Sequence, residues 1–131
     1  MTPHFCKTTS YFDCEAALDR CCGDEDFLAE MVDLLATSVA TQLAAVDLAI
    51  AASGPQALGE AAHALKGAVA SMTTARPYKL AYDLELLGKT GTCDHAETIV
   101  AELRLSLDQL LKETQQWSAS RGSKLASSAS L

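Results

Sequence analysis

Apolar residues recur at intervals of three and four through most of this chain, and this spacing constrains the fold more than any other feature. Its clearest example is the stripe Leu58, Ala62, Leu65, Val69 and Met72, because each residue advances about 100° around a helix axis. Such a stripe buries one side of a helix and leaves the other exposed. Aromatic residues make up only 5% of the chain, which favours helices packed through small aliphatic side chains over a sheet. We expect an all-α protein.

Capping and turn residues divide the chain into five predicted helices. Short loops between long amphipathic helices imply antiparallel neighbours, so helices B to E should form an up-and-down four-helix bundle with the short N-terminal helix A across one end. The predicted helices are A near residues 13–22, B from its cap at Asp24 to residue 53, C from Pro55 to about Thr73, D from about Pro77 to Lys89, and E from near Thr92, whose hydroxyl can cap it, to Trp117.

The same periodicity predicts which side chains face the core. Met31, Leu34 and Val39 stay open between the core and an exposed contact patch. For helix E, a core stripe is favoured over a second interaction surface ending at Trp117. The inward positions are Phe27 or Leu28, Met31, Leu34 or Leu35, Val39, Leu43, Val46 and Ile50 in helix B, Leu80, Leu84 and Leu87 in helix D, and Ala96, Val100, Leu103, Leu107, Leu110, Thr114 and Trp117 in helix E.

Length and charge set the domain organisation and narrow the choice of partner. The chain has 131 residues, enough for one domain with its own core. We expect a flexible arm over residues 1–10, the bundle over residues 11–117, and a disordered tail rich in serine and alanine over residues 118–131. A net charge of −7 argues against a nucleic-acid groove and against binding to an anionic membrane. The partner should therefore be a protein.

The five cysteines, Cys6, Cys14, Cys21, Cys22 and Cys93, fit neither a disulfide framework nor a zinc site, since their number is odd and no paired C-x-x-C recurs. We expect reduced thiols and no metal, including none between His4, Cys6 and Cys14. The polar amino terminus and the interrupted apolar stretches predict no signal peptide and no membrane span. The expected compartment is the cytoplasm.

The strongest chemical signal is the pentapeptide His63-Ala64-Leu65-Lys66-Gly67 on helix C. His63 lies about 140° from the centre of the apolar stripe, so its ring should face solvent or a partner, with Lys66 and Gly67 one turn away on the same side.

Small residues flank this imidazole, with Gly59 on one side and Ala70 on the other. A glycine inside a helix costs about 1 kcal/mol relative to alanine, and close approach by another protein would explain Gly59 and Gly67. A neutral imidazole can accept a phosphoryl group, with Lys66 supplying positive charge. The alternative is an ordinary surface histidine beside a surface lysine.

These residues resemble the signature of the histidine-containing phosphotransfer (HPt) domain of multistep phosphorelays, read here from Ala62 to Ala68. The resemblance extends upstream through residues 12–18 and 23–28 and downstream through Leu80 and Leu84-Glu85, and covers roughly residues 12–117. Two positions depart from the family pattern. Thr73 stands where many members have glycine, and Pro77 where many have an apolar residue, so the turn between helices C and D should differ locally.

The resemblance implies a phosphoryl shuttle. A receiver domain with an aspartyl phosphate would dock over helices B and C and transfer the group to His63, which would pass it to a second receiver. Mg²⁺ and the acidic pocket would belong to the receiver, so the protein would need no cofactor of its own. Lys66 would stabilise the equatorial oxygens and Gly67 would admit the receiver's loop.

The resemblance also implies which residues surround the histidine. Glu85 falls where several relatives have a glutamine that orients the ring, and a carboxylate there would fix the tautomer while favouring the charged imidazolium. The alternative for Glu85 is an ordinary solvated glutamate. Arg76 and Lys79 could add positive potential near the end of helix C, although most exposed basic residues have no specific role.

The sequence lacks the glycine boxes of a nucleotide-binding domain, and Ala64 follows the histidine where kinase domains usually have an acidic residue. We therefore expect a phosphoryl carrier and no kinase, with response-regulator receiver domains and a hybrid histidine kinase as partners. A single bundle needs no second copy, so a monomer is expected. Two alternatives remain: a catalytically silent adaptor that binds receivers, and a helical interaction module with a chance motif.

Overall fold

The computed structural model describes the backbone of residues 11–129 and the side chains of residues 11–121. All five elements in this part of the chain are helices. Helices α2 to α5 pack in a ring, each against the next and α5 against α2, while α1 packs on α2. The all-α class and the four-helix bundle with a short N-terminal helix are confirmed. The helices are α1 (Cys14–Arg20), α2 (Glu25–Ala51), α3 (Pro55–Val69), α4 (Arg76–Lys89) and α5 (Ala96–Ala129).

Local sequence signals determine where α1, α2 and α3 begin. The Asp13 side chain accepts a hydrogen bond from the Ala16 N–H, and Asp24 accepts one from the Phe27 N–H at 3.0 Å, so each aspartate satisfies an amide that the helix leaves unpaired. Pro55 occupies the first position of α3, where its missing N–H costs nothing. The cap predicted at Asp24 is confirmed.

The core runs along the inner stripes of α2 to α5. Of the paired candidates in α2, Leu28 and Leu35 are buried, whereas Phe27 and Leu34 are exposed. Adjacent residues on a helix point about 100° apart, so only one residue of each pair can face the core. Val39 is a core residue, whereas Met31 is only partly buried. The largest fully buried side chains are Leu28, Leu58, Leu65, Met72, Leu84, Leu103, Leu107, Leu110, Val32, Val39, Val46 and Val69. Like Met31, three other residues predicted to face inward are only partly buried: Leu43, Ile50 and Leu87.

The two longer connections differ in how well the sequence predicted them. Thr73 is buried, and its hydroxyl accepts the Ala75 N–H at 3.0 Å in the turn before α4. Pro77 lies in the first turn of α4, as predicted. The cap at Thr92 is wrong: its hydroxyl accepts the Asp94 N–H at 3.0 Å and so closes a separate turn before α5.

The carboxyl-terminal boundary also differs from the prediction. We expected disorder from residue 118 because the segment lacks an apolar face, but α5 continues to Ala129. Arg121 explains part of this extension, since its guanidinium contacts both Asp26 and Glu25, at 3.7 Å for Glu25. Both carboxylates lie in the first turn of α2. The predicted arm over residues 1–10 lies outside the described residues.

A buried carboxylate, Glu113, ties the amino-terminal end of the described chain to α5. One of its oxygens accepts the backbone N–H of Phe12 at 2.8 Å and that of Tyr11 at 3.0 Å. The other accepts the side-chain amide of Gln109 at 2.7 Å. Next to it, Phe12 packs edge-on against the buried Trp117, with ring centroids 6.3 Å apart. Trp117 is therefore a core residue, as favoured from the sequence.

Helix α2 is unusually apolar. Among the described residues it alone is long and apolar enough to cross a membrane, with a mean hydropathy of 1.6 over its most apolar window. In this fold it forms one wall of the bundle, packed on α3 and α5. A bundle helix meets the same length and composition criteria, so this property is weak support for a membrane span.

Candidate functional site

His63 projects from the outer face of α3. Its side chain is 69% exposed, while Leu58, Ala62 and Leu65 on the opposite face are fully buried. The buried stripe thus orients the histidine outward, as its position relative to that stripe predicted.

One ring nitrogen of His63 is engaged by the protein. Nδ1 lies 2.7 Å from Oε2 of Glu85 on α4. An ionised carboxylate can only accept a hydrogen bond, so the neutral ring carries its proton on Nδ1 and donates it to Glu85. Within residues 11–121, Nε2 makes no hydrogen bond. The geometry therefore selects Nε2 as the nitrogen with a free lone pair.

Glu85 is buried, with only 4% of its side chain exposed. The alternative of a solvated glutamate is therefore wrong. Two ammonium groups neutralise its charge: Lys66 Nζ lies 2.7 Å from Oε1, and Lys89 Nζ lies 3.4 Å from Oε2. A buried carboxylate requires such partners, because desolvation otherwise favours its neutral form.

These contacts shift the ionisation of the group. The ion pair with Lys66, helped by the hydrogen bond from His63 and the charge of Lys89, lowers the pKa of Glu85 from 4.5 to about 2 against the opposing effect of burial. The same contact with Glu85 raises the pKa of Lys66. The carboxylate and the ammonium are therefore both charged throughout the neutral pH range.

Lys66 differs in one respect from its sequence prediction. We expected an exposed ammonium, but only 18% of the side chain is exposed. Its Nζ lies 5.0 Å from the centroid of the Tyr82 ring, within the range of a cation–π contact. Lys66 is thus held by Glu85 on one side and an aromatic face on the other, because α4 packs close to this side of α3.

Gly88 on α4 permits that close packing. A Cβ on Gly88 would lie 2.6 Å from the Gly59 nitrogen and 2.6 Å from the Pro55 carbonyl oxygen. Only hydrogen fits at this position, so the backbones of α3 and α4 approach without side chains between them. Gly59 was interpreted as room for a partner. It lies against α4 of the same chain, where an added Cβ would make ordinary contacts, 3.7 Å from the Gly88 Cα.

The remaining predicted site residues are not all brought together. Gly67 is exposed, and a Cβ added there would meet nothing within 4 Å. Ala70 is partly buried at the end of α3. Arg76 pairs with Glu102 on α5 and lies at the opposite end of α4, nine residues or about 14 Å along the axis from Glu85. The structure therefore does not place Arg76 at the histidine.

Lys89 was missed by sequence reasoning, although a signal existed. It follows Glu85 by four residues on α4, the spacing at which a glutamate and a lysine meet on one helix face. Lys89 and His63 also line the same groove, about 690 Å³ in volume, between the first turns of α3 and the end of α4. Its side chain is 67% exposed, so its ammonium is accessible from that groove.

Metal-binding residues do not cluster in the part of the chain that the structure describes: no group of three histidine, cysteine or acidic side chains is placed to hold an ion. In this part of the chain Cys21, Cys22 and Cys93 are free thiols. Of the imagined ligand set, His4 and Cys6 lie outside the described residues, and Cys14 is buried in the core. The chemistry at hand is that of an imidazole, a carboxylate and two ammonium groups.

Known proteins match both the sequence and the fold. The model of the Hpt domain family matches residues 30–113. The crystal structure of histidine-containing phosphotransfer protein B (HptB) from Pseudomonas aeruginosa PAO1 is similar, with a TM-score of 0.79. That match has 18% sequence identity and covers 86% of this chain and 97% of the other, so it shows a shared fold. The search among curated proteins found no match.

Proposed function

The chain belongs to the Hpt domain family, and from this premise we propose that His63 is its phosphoryl carrier. Family membership gives a role in histidine phosphotransfer within a phosphorelay. In the proposed relay, His63 accepts the group from the aspartyl phosphate of one receiver domain and passes it to another. One observation carries the assignment: the ring is exposed while a buried carboxylate engages Nδ1, so Nε2 is left to react.

The transfer step follows from this geometry. The Nε2 lone pair attacks phosphorus in line, a P–N bond forms, and the P–O bond to the receiver's aspartate breaks with its electron pair returning to that carboxylate. The imidazole becomes a phosphoimidazolium whose remaining proton sits on Nδ1 against Glu85. The reverse sequence of bond changes delivers the group to a second receiver.

Positive charge near the carrier favours the arriving phosphoryl group. Two ammonium groups, Lys66 and Lys89, surround one carboxylate, Glu85, which leaves a surplus of one positive charge beside a neutral ring. Because charge spreads over three equatorial oxygens in the transition state, this surplus stabilises it. In this proposal Lys66 and Lys89 together supply that charge.

The surface around His63 suits a docked receiver domain. Ala64 and Gly67 are exposed on α3, and Leu34 on α2 is 61% exposed. These small and apolar side chains support docking over α2 and α3. In the proposed complex the receiver contributes Mg²⁺ and its own acidic pocket, and this protein acts as a cytoplasmic monomer without an ATP-binding domain.

The test is transfer from receivers charged with labelled phosphate. A panel of receiver domains is phosphorylated, mixed with the full chain, and examined for acid-labile, base-stable label. We expect label on the wild type and none on His63→Gln. His95→Asn is the matched control, since His95 is another exposed histidine and asparagine tolerates its positive φ of 65°.

Each outcome of this experiment separates the alternatives. A wild type that binds receivers but takes no label would reject the carrier and leave the adaptor. Label that persists on His63→Gln would assign a different nucleophile. Lys66→Met and Lys89→Met should each slow transfer several-fold while leaving His63 as the labelled residue. Unchanged rates in both would remove the two lysines from the mechanism.

A further inference from the structure

The contact between Glu85 and His63 has a consequence for the phosphorylated state. In the transfer step above, the ring of phosphorylated His63 is cationic and still holds a proton on Nδ1. If that proton leaves, the phosphoryl group is attached to a neutral ring that would have to depart as an imidazolate, which is a much poorer leaving group. The protonation of Nδ1 therefore decides whether the phosphoryl group remains transferable.

We propose that Glu85 is a positioning residue that holds the proton on Nδ1 after phosphorylation and so keeps the phosphoryl group transferable across the neutral pH range. This inference rests on the proposed function and adds to it a control on the lifetime of the phosphorylated carrier. It is carried by the 2.7 Å contact between Nδ1 and Oε2 and by the burial of Glu85, because a buried anion next to a cationic ring is poorly screened by water.

Among the charged groups around His63, Glu85 is the carboxylate placed to hold this proton. Within the described residues, the groups that face the pair are Lys66 and Glu60 on α3, and Lys89, Tyr78 and Tyr82 on α4. The two lysines keep the carboxylate ionised, since the pKa of Glu85 is about 2. They also oppose a positive charge on the ring. Glu60 lines the same groove but accepts a hydrogen bond from Gln56 at 3.4 Å, so it is a carboxylate nearby that does not contact the ring.

On onward transfer, the acceptor's aspartate oxygen forms a bond to phosphorus as the P–Nε2 bond breaks, and that electron pair returns to Nε2. The proton stays on Nδ1 throughout, and neutral His63 is regenerated with its hydrogen bond to Glu85 intact. Glu85 therefore gains and loses no proton, and its charge alone favours the reactive form.

The experiment compares the decay of phosphorylated protein in three chains: wild type, Glu85→Gln and the matched control Glu60→Gln. Phosphoramidate phosphorylates the full chains without a receiver, and ³¹P NMR then follows the loss of phosphohistidine from about pH 6 to about pH 9. Decay should slow as pH rises in both chains, because Nδ1 loses its proton, but the slowing should begin at least about one pH unit higher in the wild type, where the charge of Glu85 is adjacent. At the upper end of the range Glu85→Gln should therefore decay about tenfold more slowly than the wild type.

Glutamine keeps the shape and an acceptor oxygen, so the comparison isolates the charge. Equal pH profiles for wild type and Glu85→Gln would overturn the proposal. A change in Glu60→Gln as large as that in Glu85→Gln would also overturn it, since the effect would then come from general surface charge.

A measurement on the wild type covers the case in which Glu85→Gln folds poorly. In phosphorylated protein labelled with ¹⁵N, the Nδ1 resonance of His63 should be mainly that of a protonated nitrogen at about pH 7. Loss of that proton at neutral pH would overturn the proposal without any variant. Failure of the relay itself would appear elsewhere, as absent transfer from every receiver, so the two hypotheses fail in different assays.

Discussion

Two glutamates are buried in this bundle to nearly the same extent, Glu85 at 3% and Glu113 at 4% exposure, yet their surroundings differ. Glu113 accepts backbone N–H groups from Tyr11 and Phe12, which are fixed parts of the fold. Glu85 contacts three side chains, Lys66, Lys89 and His63, two of which are mostly exposed. Burial alone therefore does not distinguish a structural carboxylate from one at a reactive site.

The groups that contact each glutamate distinguish the two sites, because they determine whether protons and charges there can change. Backbone amides at Glu113 cannot titrate or move away without unfolding the local chain, so that carboxylate contributes stability. The partners of Glu85 carry protons and charges that a bound phosphoryl group would rearrange. We expect substitutions around Glu113 to alter stability without altering phosphotransfer, and substitutions around Glu85 to alter both.

The largest expected effect comes from the helix contact that places Glu85 beside the histidine. Gly88→Ala should lower the free energy of unfolding by about 3 kcal/mol, because its Cβ would lie 2.6 Å from backbone atoms of α3. Urea unfolding followed by the fluorescence of Trp117 measures this loss. Gly67→Ala, whose Cβ meets nothing within 4 Å, is the matched control. A stable Gly88→Ala would mean that α3 and α4 are not in close contact.

The next effect tests the structural carboxylate. Glu113→Ala should lower the free energy of unfolding by about 2 to 3 kcal/mol, since it leaves the N–H groups of Phe12 and Tyr11 without their acceptor. Glu113→Gln retains an acceptor oxygen and should lose less. The phosphohistidine lifetime should stay at the wild-type value in both variants. A changed lifetime would show that the two glutamates are coupled and would break the distinction.

The sequence predicted the helical elements well and the site in part, for identifiable reasons. The position of His63 followed from a period that a helix imposes on all its residues. The packing of α4 against Gly59 was missed because the apolar pattern within α3 says nothing about which helix packs on it. The extension of α5 past Trp117 was missed because its support comes from Arg121 and the first turn of α2, almost a hundred residues away.

The placement of Glu85 in the site could not be predicted from the sequence of α4 alone. Its register beside the histidine came from the family resemblance, and its burial came from the approach of α3 and α4 at Gly88. Lys89 was predictable from its spacing to Glu85 once that glutamate was known to lie in the site. Contacts between helices distant in sequence therefore decide which charged residues belong to the site.

A smaller effect is the contribution of the Glu85 carboxylate to the free energy of unfolding, which should depend on pH. Because its folded pKa of about 2 lies below the ordinary 4.5, its ionised form stabilises the fold fully above about pH 4.5, and this contribution is lost as pH falls toward 2. Glu85→Gln lacks the titrating group. Wild type should therefore exceed this variant by about 1 to 2 kcal/mol at neutral pH, with the difference shrinking in acid.

Urea unfolding at a series of pH values measures that difference, and Glu60→Gln serves as the control with an exposed carboxylate. A difference that stays constant from neutral pH to about pH 2 would mean that the Glu85 carboxylate has an ordinary pKa in the folded protein. The contacts with Lys66 and His63 would then be weaker than the structure indicates.

The smallest expected effect on the free energy of unfolding is an increase, at Gly67 on the exposed face of α3. Substitutions there should affect stability and phosphotransfer differently. Gly67→Ala should raise the free energy of unfolding by about 1 kcal/mol, because alanine restricts the unfolded chain and its Cβ meets nothing. Gly67→Leu should fold as well, yet transfer from a receiver should fall at least tenfold, since a large side chain would block the approach to His63. Phosphoramidate labelling, which needs no docking, should be unchanged in both variants. If Gly67→Leu accepted the group from a receiver at the wild-type rate, the receiver would have to approach His63 from the groove beside Lys89 and not over α2 and α3.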